Sequence, residues 1–273
     1  MNDRRFRFGV VATPDRGPEE WQATARRTAD LGYSTLLMPD GLQLLSPFPS
    51  LAVAAMAADL RVGTHVVAAP LRPPRSAAWD AHTLSVLTDG RFEFGIGTGR
   101  PAVEGFAREL GLPFGSAKER LNQVSETLDH LDELDGDRHT PVLLAAAGPR
   151  ALALAAARAD IVTLAAGPLV PRTEVAAMAA DLWAQAGPRA DEIELAMNLF
   201  AVGEDLPPWT KQATGTDPAT LLEADSLVLL RGSVQDMADE LRRRRDELGV
   251  SYISINGAYL EQLAPVVERL AGQ

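Results

Sequence analysis

Few side chains in this sequence combine a type and a position suited to chemistry, and those few stand at the ends of short β-like runs. Asp40 follows one such run in Met38-Pro39-Asp40-Gly41. It reads either as a turn residue before glycine or as a carboxylate held at a site. Gly95, Gly97 and Gly99 lead into Arg100. A dinucleotide fingerprint needs its third glycine at position 100, so this run reads as a Gly-rich turn at Thr98 and Gly99 that lets a flat ligand or a loop approach the backbone. The Arg100 guanidinium suits bidentate contact with a carboxylate or phosphate, or a surface pairing with Glu104. Ala145-Ala146-Ala147-Gly148 ends another run, and Pro149 starts a helix there. Small residues leave N–H groups open at a helix N-terminus, which suits an anion, although a tight connection needs the same residues.

The histidines carry less. His65 lies inside a strand-like run, where a lone imidazole reads most simply as a core residue, while His82, His130 and His139 fall in helical or loop segments and read as surface. Arg242 to Arg245, flanked by Asp239, Glu240, Asp246 and Glu247, reads as a solvated helix face with i,i+4 pairs. Cysteine is absent, which removes disulfides, thiolate metal sites and thiol nucleophiles together. HExxH, GxSxG and Gly-Lys-Ser/Thr patterns are also missing, so metal, triad and phosphate-loop hydrolases are not indicated, and no metal site is expected.

The elements that must position these residues follow from periodicity. Eight β-branched or aromatic runs, near 6–12, 34–38, 61–69, 91–97, 141–147, 160–165, 193–202 and 251–256, alternate with amphipathic helix patterns. Trp21, Ala25, Ala29 and Gly32 share one helix face, and Leu121, Val124, Leu128, Leu131 and Leu134 share another. Ser116 before Glu119 and Ser233 before Asp236 read as helix N-caps. Without a Pro/Ser-rich linker, 273 residues and eight βα units predict one α/β domain over 1–273, a single (β/α)8 TIM barrel. The main irregular insertion, 203–217, reads as a surface loop or a lid.

Charge bounds the partners. Lys and Arg number 26 against 37 Asp and Glu, giving a formal charge of −11 and no basic surface for nucleic acid. No run approaches the ~20 apolar residues of a membrane span, and Met1 to Ala12 lacks the apolar core of a secretory signal. A cytoplasmic protein acting on a small molecule is the expectation.

Taken together, the run His82 to Gly99, Pro113-Phe114 through Leu121, Ala147 to Leu152 with Ala159-Asp160, and Gly232-Ser233 through Val250 resemble the bacterial luciferase-like monooxygenase superfamily, in particular its branch using the deazaflavin coenzyme F-420. The resemblance implies a luciferase-like barrel that moves hydride between reduced coenzyme F-420, or alternatively FMN, and an organic small molecule. It places Asp40, His65, Val66, Thr98 and Gly99 at the cofactor ring, with a cis peptide at His65-Val66. It places Ala146, Ala147 and Gly148 at the cofactor phosphate. Asp40 and Arg100 are then the candidate catalytic residues, Arg100 implying an anionic substrate, and a homodimer is the implied assembly. Gly41 stands where many deazaflavin members have His, and Arg100 where some have Glu. The segment Asp135 to Thr140 is shorter than its counterparts, which predicts a pocket missing part of its wall. The competing reading is a non-catalytic flavin-binding or scaffold descendant.

Overall fold

The computed structural model describes residues 4–204, 211 and 215–273. Eight barrel strands run β1 (Arg7–Val11), β2 (Thr35–Met38), β3 (Arg61–Thr64, resuming at Val67–Ala68), β4 (Phe92–Gly97), β5 (Val142–Ala146), β6 (Ile161–Leu164), β7 (Glu194–Leu199) and β8 (Val250–Asn256). All pair in parallel, each with its sequence neighbour; β8 returns to β1 and β3 meets β4, so the sheet closes. The helices between them are α1 (Pro18–Asp30), α2 (Pro47–Ala57), α3 (Pro74–Leu87), α4 (Val103–Glu109), α5 (Ala117–Asp135), α6 (Pro149–Arg158), α7 (Arg172–Ala186), α8 (Pro218–Glu223), α9 (Val234–Leu248) and α10 (Leu260–Leu270). The expected single TIM barrel is the fold observed. Ser116 and Ser233 form complete capping boxes with Glu119 and Asp236, which start α5 and α9 where the sequence indicates.

Period-two alternation divides each strand between two environments. Phe8, Val10, Leu36, Phe92, Phe94 and Ile253 face outward into the shell packed under the helices. Leu37, Leu143, Ile161, Ala196 and Tyr252 fill the barrel interior, with Val11 and Val66 against them. The N-terminal end of the barrel is closed by ions. Arg7 bonds Glu93 at 2.6 Å and Glu194 at 2.7 Å, Arg61 bonds Glu93 at 2.7 Å, and the Arg7 guanidinium lies 3.6 Å from the Tyr252 ring centre. Two arginines against two glutamates leave this floor neutral, with each carboxylate hydrogen-bonded as burial requires.

Three expectations are corrected. The short segment after α5 does not thin the pocket wall. It lies at the N-terminal end of β5, opposite the mouth, because helix-to-strand connections in such a barrel run along the bottom. There Asp135 closes it, accepting from Thr140 N at 2.8 Å and pairing with His82 Nδ1 at 2.7 Å. Arg244 is not on a solvated face. Its side chain is 2% exposed and donates to the carbonyls of Leu227 and Leu229 at 2.7 and 2.9 Å and to Glu240 at 2.7 Å. Burial alone would raise the Glu240 carboxyl, yet the hydrogen bonds of Arg172 and Arg244 bring its pKa down to about 2. The run 193–202 is two strands: β7 ends at Leu199, and Ala201–Val202 leaves the barrel to pair with Leu229–Leu230. In the 203–217 insertion, positions 205–210 and 212–214 lie outside the described residues.

Candidate active site

Strand β3 breaks between Thr64 and Val67, and the His65-Val66 peptide is cis, as the resemblance implies. The neighbouring strand is built around that break. A Cβ on Gly95 would stand 1.8 Å from the Thr64 carbonyl oxygen, and one on Gly97 would stand 3.1 Å from Val66. The ladder is replaced locally by side-chain bonds: Gly95 N donates to Thr64 Oγ1 at 2.8 Å, which donates to the Gly95 carbonyl at 2.7 Å. Of the two readings of these glycines, close approach by a loop is therefore the one seen at Gly95, and the loop is the β3 bulge itself.

Asp40 stands at the end of β2 with its side chain 4% exposed, and both its oxygens are engaged. Arg72 grips it with two guanidinium nitrogens, one of them at 3.0 Å, and Ala68 N donates to it at 3.3 Å. A carboxylate held this way joins the strand ends rather than facing the open mouth. His65 is half-buried, and burial pushes its imidazole pKa down to about 4, only partly opposed by a hydrogen bond to its own backbone and by Glu93. At neutral pH the ring is uncharged.

Thr98 and Gly99 follow β4 and are half-buried; a Cβ on Gly99 would lie 3.4 Å from Pro70 and 3.6 Å from Ala68. Arg100 is exposed, and among the described residues no carboxylate pairs with it, since Glu104 bonds Arg108 at 3.4 Å instead. Ala146 is buried, whereas Ala147 and Gly148 are exposed at the start of α6. A Cβ on Gly148 would meet nothing within 4 Å. The first-turn N–H groups of α6 have no intrahelical acceptor by helix geometry and carry the positive end of its dipole.

The strands thus bring Asp40, His65, Val66, Thr98, Gly99, Ala147 and Gly148 to one end of the barrel, with Arg100 on its rim. Sequence reading missed Thr163, Asn198 and Ser254, which lie two residues beyond the interior residues Ile161, Ala196 and Tyr252 on the same strand face. Ser254 Oγ lies 3.0 Å from Asn198 Oδ1. Alternation counted from an interior residue would have found all three. Arg72 carried no local signal, because its partner is 32 residues away.

A closed parallel barrel whose candidate residues gather at the C-terminal ends of its strands has the architecture of a barrel enzyme. The chain belongs to the luciferase-like monooxygenase family, whose model matches residues 6–206. Solved structures with the same fold include a coenzyme F-420-dependent tetrahydromethanopterin reductase from Methanopyrus kandleri, 16% identical with a TM-score of 0.76 over 98% of this chain and 100% of that one. A riboflavin lyase with modified FMN is 12% identical with a TM-score of 0.73 over 98% and 93% of the two chains. A monooxygenase from Streptomyces bottropensis is 18% identical with a TM-score of 0.70 over 97% of both. Compared with curated protein sequences, the chain has no significant match. Among the described residues no helix is long and apolar enough to cross a membrane.

Proposed function

We propose that this chain is an oxidoreductase that holds a flavin or deazaflavin at the C-terminal mouth and acts on an organic small molecule, with coenzyme F-420 favoured and FMN the alternative. The observation that carries the reading is the pairing of a mouth edged by small residues with an unobstructed helix start. Ala145 and Thr163 put small side chains at the strand ends, Val66 packs directly against the backbone of Gly97, and Ala147 and Gly148 expose backbone at α6. Such a surface suits a flat ring with an anionic tail.

Val66, Thr98 and Gly99 would then line the ring, and Ala147 and Gly148 would hold the phosphate, with Ala146 buried in β5 beneath them. When bound, the ring supplies hydride transfer, so the protein need only hold, orient and manage protons. His65, neutral at physiological pH, can donate or accept a hydrogen bond there. Arg100 provides an unpaired cation for a carboxylate or phosphate of substrate or cofactor. The competing reading, a non-catalytic flavin-binding or scaffold descendant, draws on one observation: Asp40 is spent on Arg72, and residue 41 is Gly.

Fluorescence quenching of coenzyme F-420 and of FMN, titrated separately with the purified protein, tests the reading. Saturable quenching by at least one, abolished in Gly148→Asp, is expected because the new carboxylate would face the phosphate. Binding of neither supports the scaffold reading, and binding unchanged by Gly148→Asp removes α6 from the site.

A further inference from the structure

The ion pair between Arg72 and Asp40 has a geometry that reaches beyond stability. Arg72 follows the short 3-10 turn Ala69–Leu71 by which β3 leaves the barrel. Its guanidinium crosses to the end of β2 to hold Asp40, and Asp40 in turn accepts the N–H of Ala68, two residues beyond the β3 bulge. The same segment lies against the next strand end, where Ala68 and Pro70 border Gly99. One side chain therefore ties the exit of β2 to that of β3, and the segment it holds borders the exit of β4. Val66 lies between these anchors, against Gly97 and the interior cluster.

The clamp is itself held. The Arg72 guanidinium lies 5.5 Å from the ring centre of Phe48, a buried residue of α2, and its side chain is only 18% exposed. Its charge also reaches α3, where it offsets part of the rise that burial imposes on Asp80. A planar fork can engage both carboxylate oxygens, whereas an ammonium offers a single point charge, so Lys is not an equivalent.

We propose that Arg72 is a positioning residue for the ring site, acting through Asp40 to set where the β3 bulge and the Ala68–Pro70 segment meet the ring. This rests on the functional reading above. It reassigns Asp40 from proton transfer to anchoring: its two oxygens are directed at Arg72 and Ala68 rather than at a substrate.

The test compares Arg72→Met, Arg72→Lys and Arg61→Met with wild type, measuring F-420 and FMN affinity, the absorption and circular dichroism of the bound ring, and amide hydrogen exchange across 64–72. Arg61 belongs to the ion cluster at the opposite end of the barrel, so Arg61→Met controls for loss of a half-buried, ion-paired arginine as such. Arg72→Met is expected to weaken binding at least tenfold, alter the spectrum of bound ring and speed exchange at Ala68. Arg72→Lys should recover part of each, and Arg61→Met should leave affinity and spectrum as in wild type. Wild-type affinity and spectrum in Arg72→Met overturn the proposal, as does an equal loss in Arg61→Met. If wild type binds neither cofactor, the functional reading itself falls and takes the ring-site role with it; unaltered exchange at Ala68 in Arg72→Met additionally refutes the clamp.

Discussion

His65 should make the stability of this protein depend on pH between about 6.5 and 4, a window that begins above the range where carboxylates titrate. Burial lowers the imidazole pKa from 6.5 to about 4, so the unfolded chain takes up a proton that the folded chain refuses between those values. The sign follows: the contribution of neutral His65 is complete above about pH 6.5, is lost as pH falls towards 4, and does not change below that. The full difference is about 3 kcal/mol, at about 1.4 kcal/mol per tenfold in an equilibrium constant, with about 2 kcal/mol lost by roughly pH 5. Urea denaturation of wild type and His65→Asn at intervals across this range measures it. The wild-type free energy should fall by about 2 kcal/mol more than that of the variant between pH 7 and 5. Parallel curves for the two proteins, or an NMR titration of the native imidazole centred near 6.5, would refute the reasoning.

The other predictions concern packing and ion pairs. Arg244→Met should cost about 3 kcal/mol in chemical denaturation because it strands two buried carbonyls, while Arg243→Ala at the exposed neighbour costs under about 1; equal effects would show that the buried bonds contribute nothing special. Gly95→Ala should lower the melting temperature sharply, at a cost of about 3 kcal/mol, since its Cβ would meet the Thr64 carbonyl at 1.8 Å. Gly105→Ala, in open space on α4, should be neutral or slightly stabilising, and a Gly95→Ala protein as stable as that control would contradict the bulge geometry. Glu240, with its pKa held at about 2 against 4.5, contributes stability that is present above pH 4.5 and lost as pH falls towards 2. Glu240→Gln should flatten that limb of an acid-unfolding curve, and an unchanged limb would assign it to other carboxylates.

The sequence by itself determined the eight strands, the order of helices between them, and the capping boxes that start α5 and α9. These features are local: a strand announces itself by a run of β-formers and a cap by two residues three apart, and both are written in neighbouring positions. The residues that end strands at the mouth were legible for the same reason, because a barrel delivers every strand end to one face. What the tertiary structure alone decided was the state of those residues. Asp40 looked available for chemistry until Arg72 was placed beside it, and Arg244 looked solvated until the carbonyls of Leu227 and Leu229 arrived from a separate segment. The shortened turn at Asp135 to Thr140 was visible in the sequence, but whether it bordered the pocket depended on which end of the barrel it occupied. Partnership and burial are properties of segments far apart in the chain, and they are settled only when the sheet closes and brings those segments together.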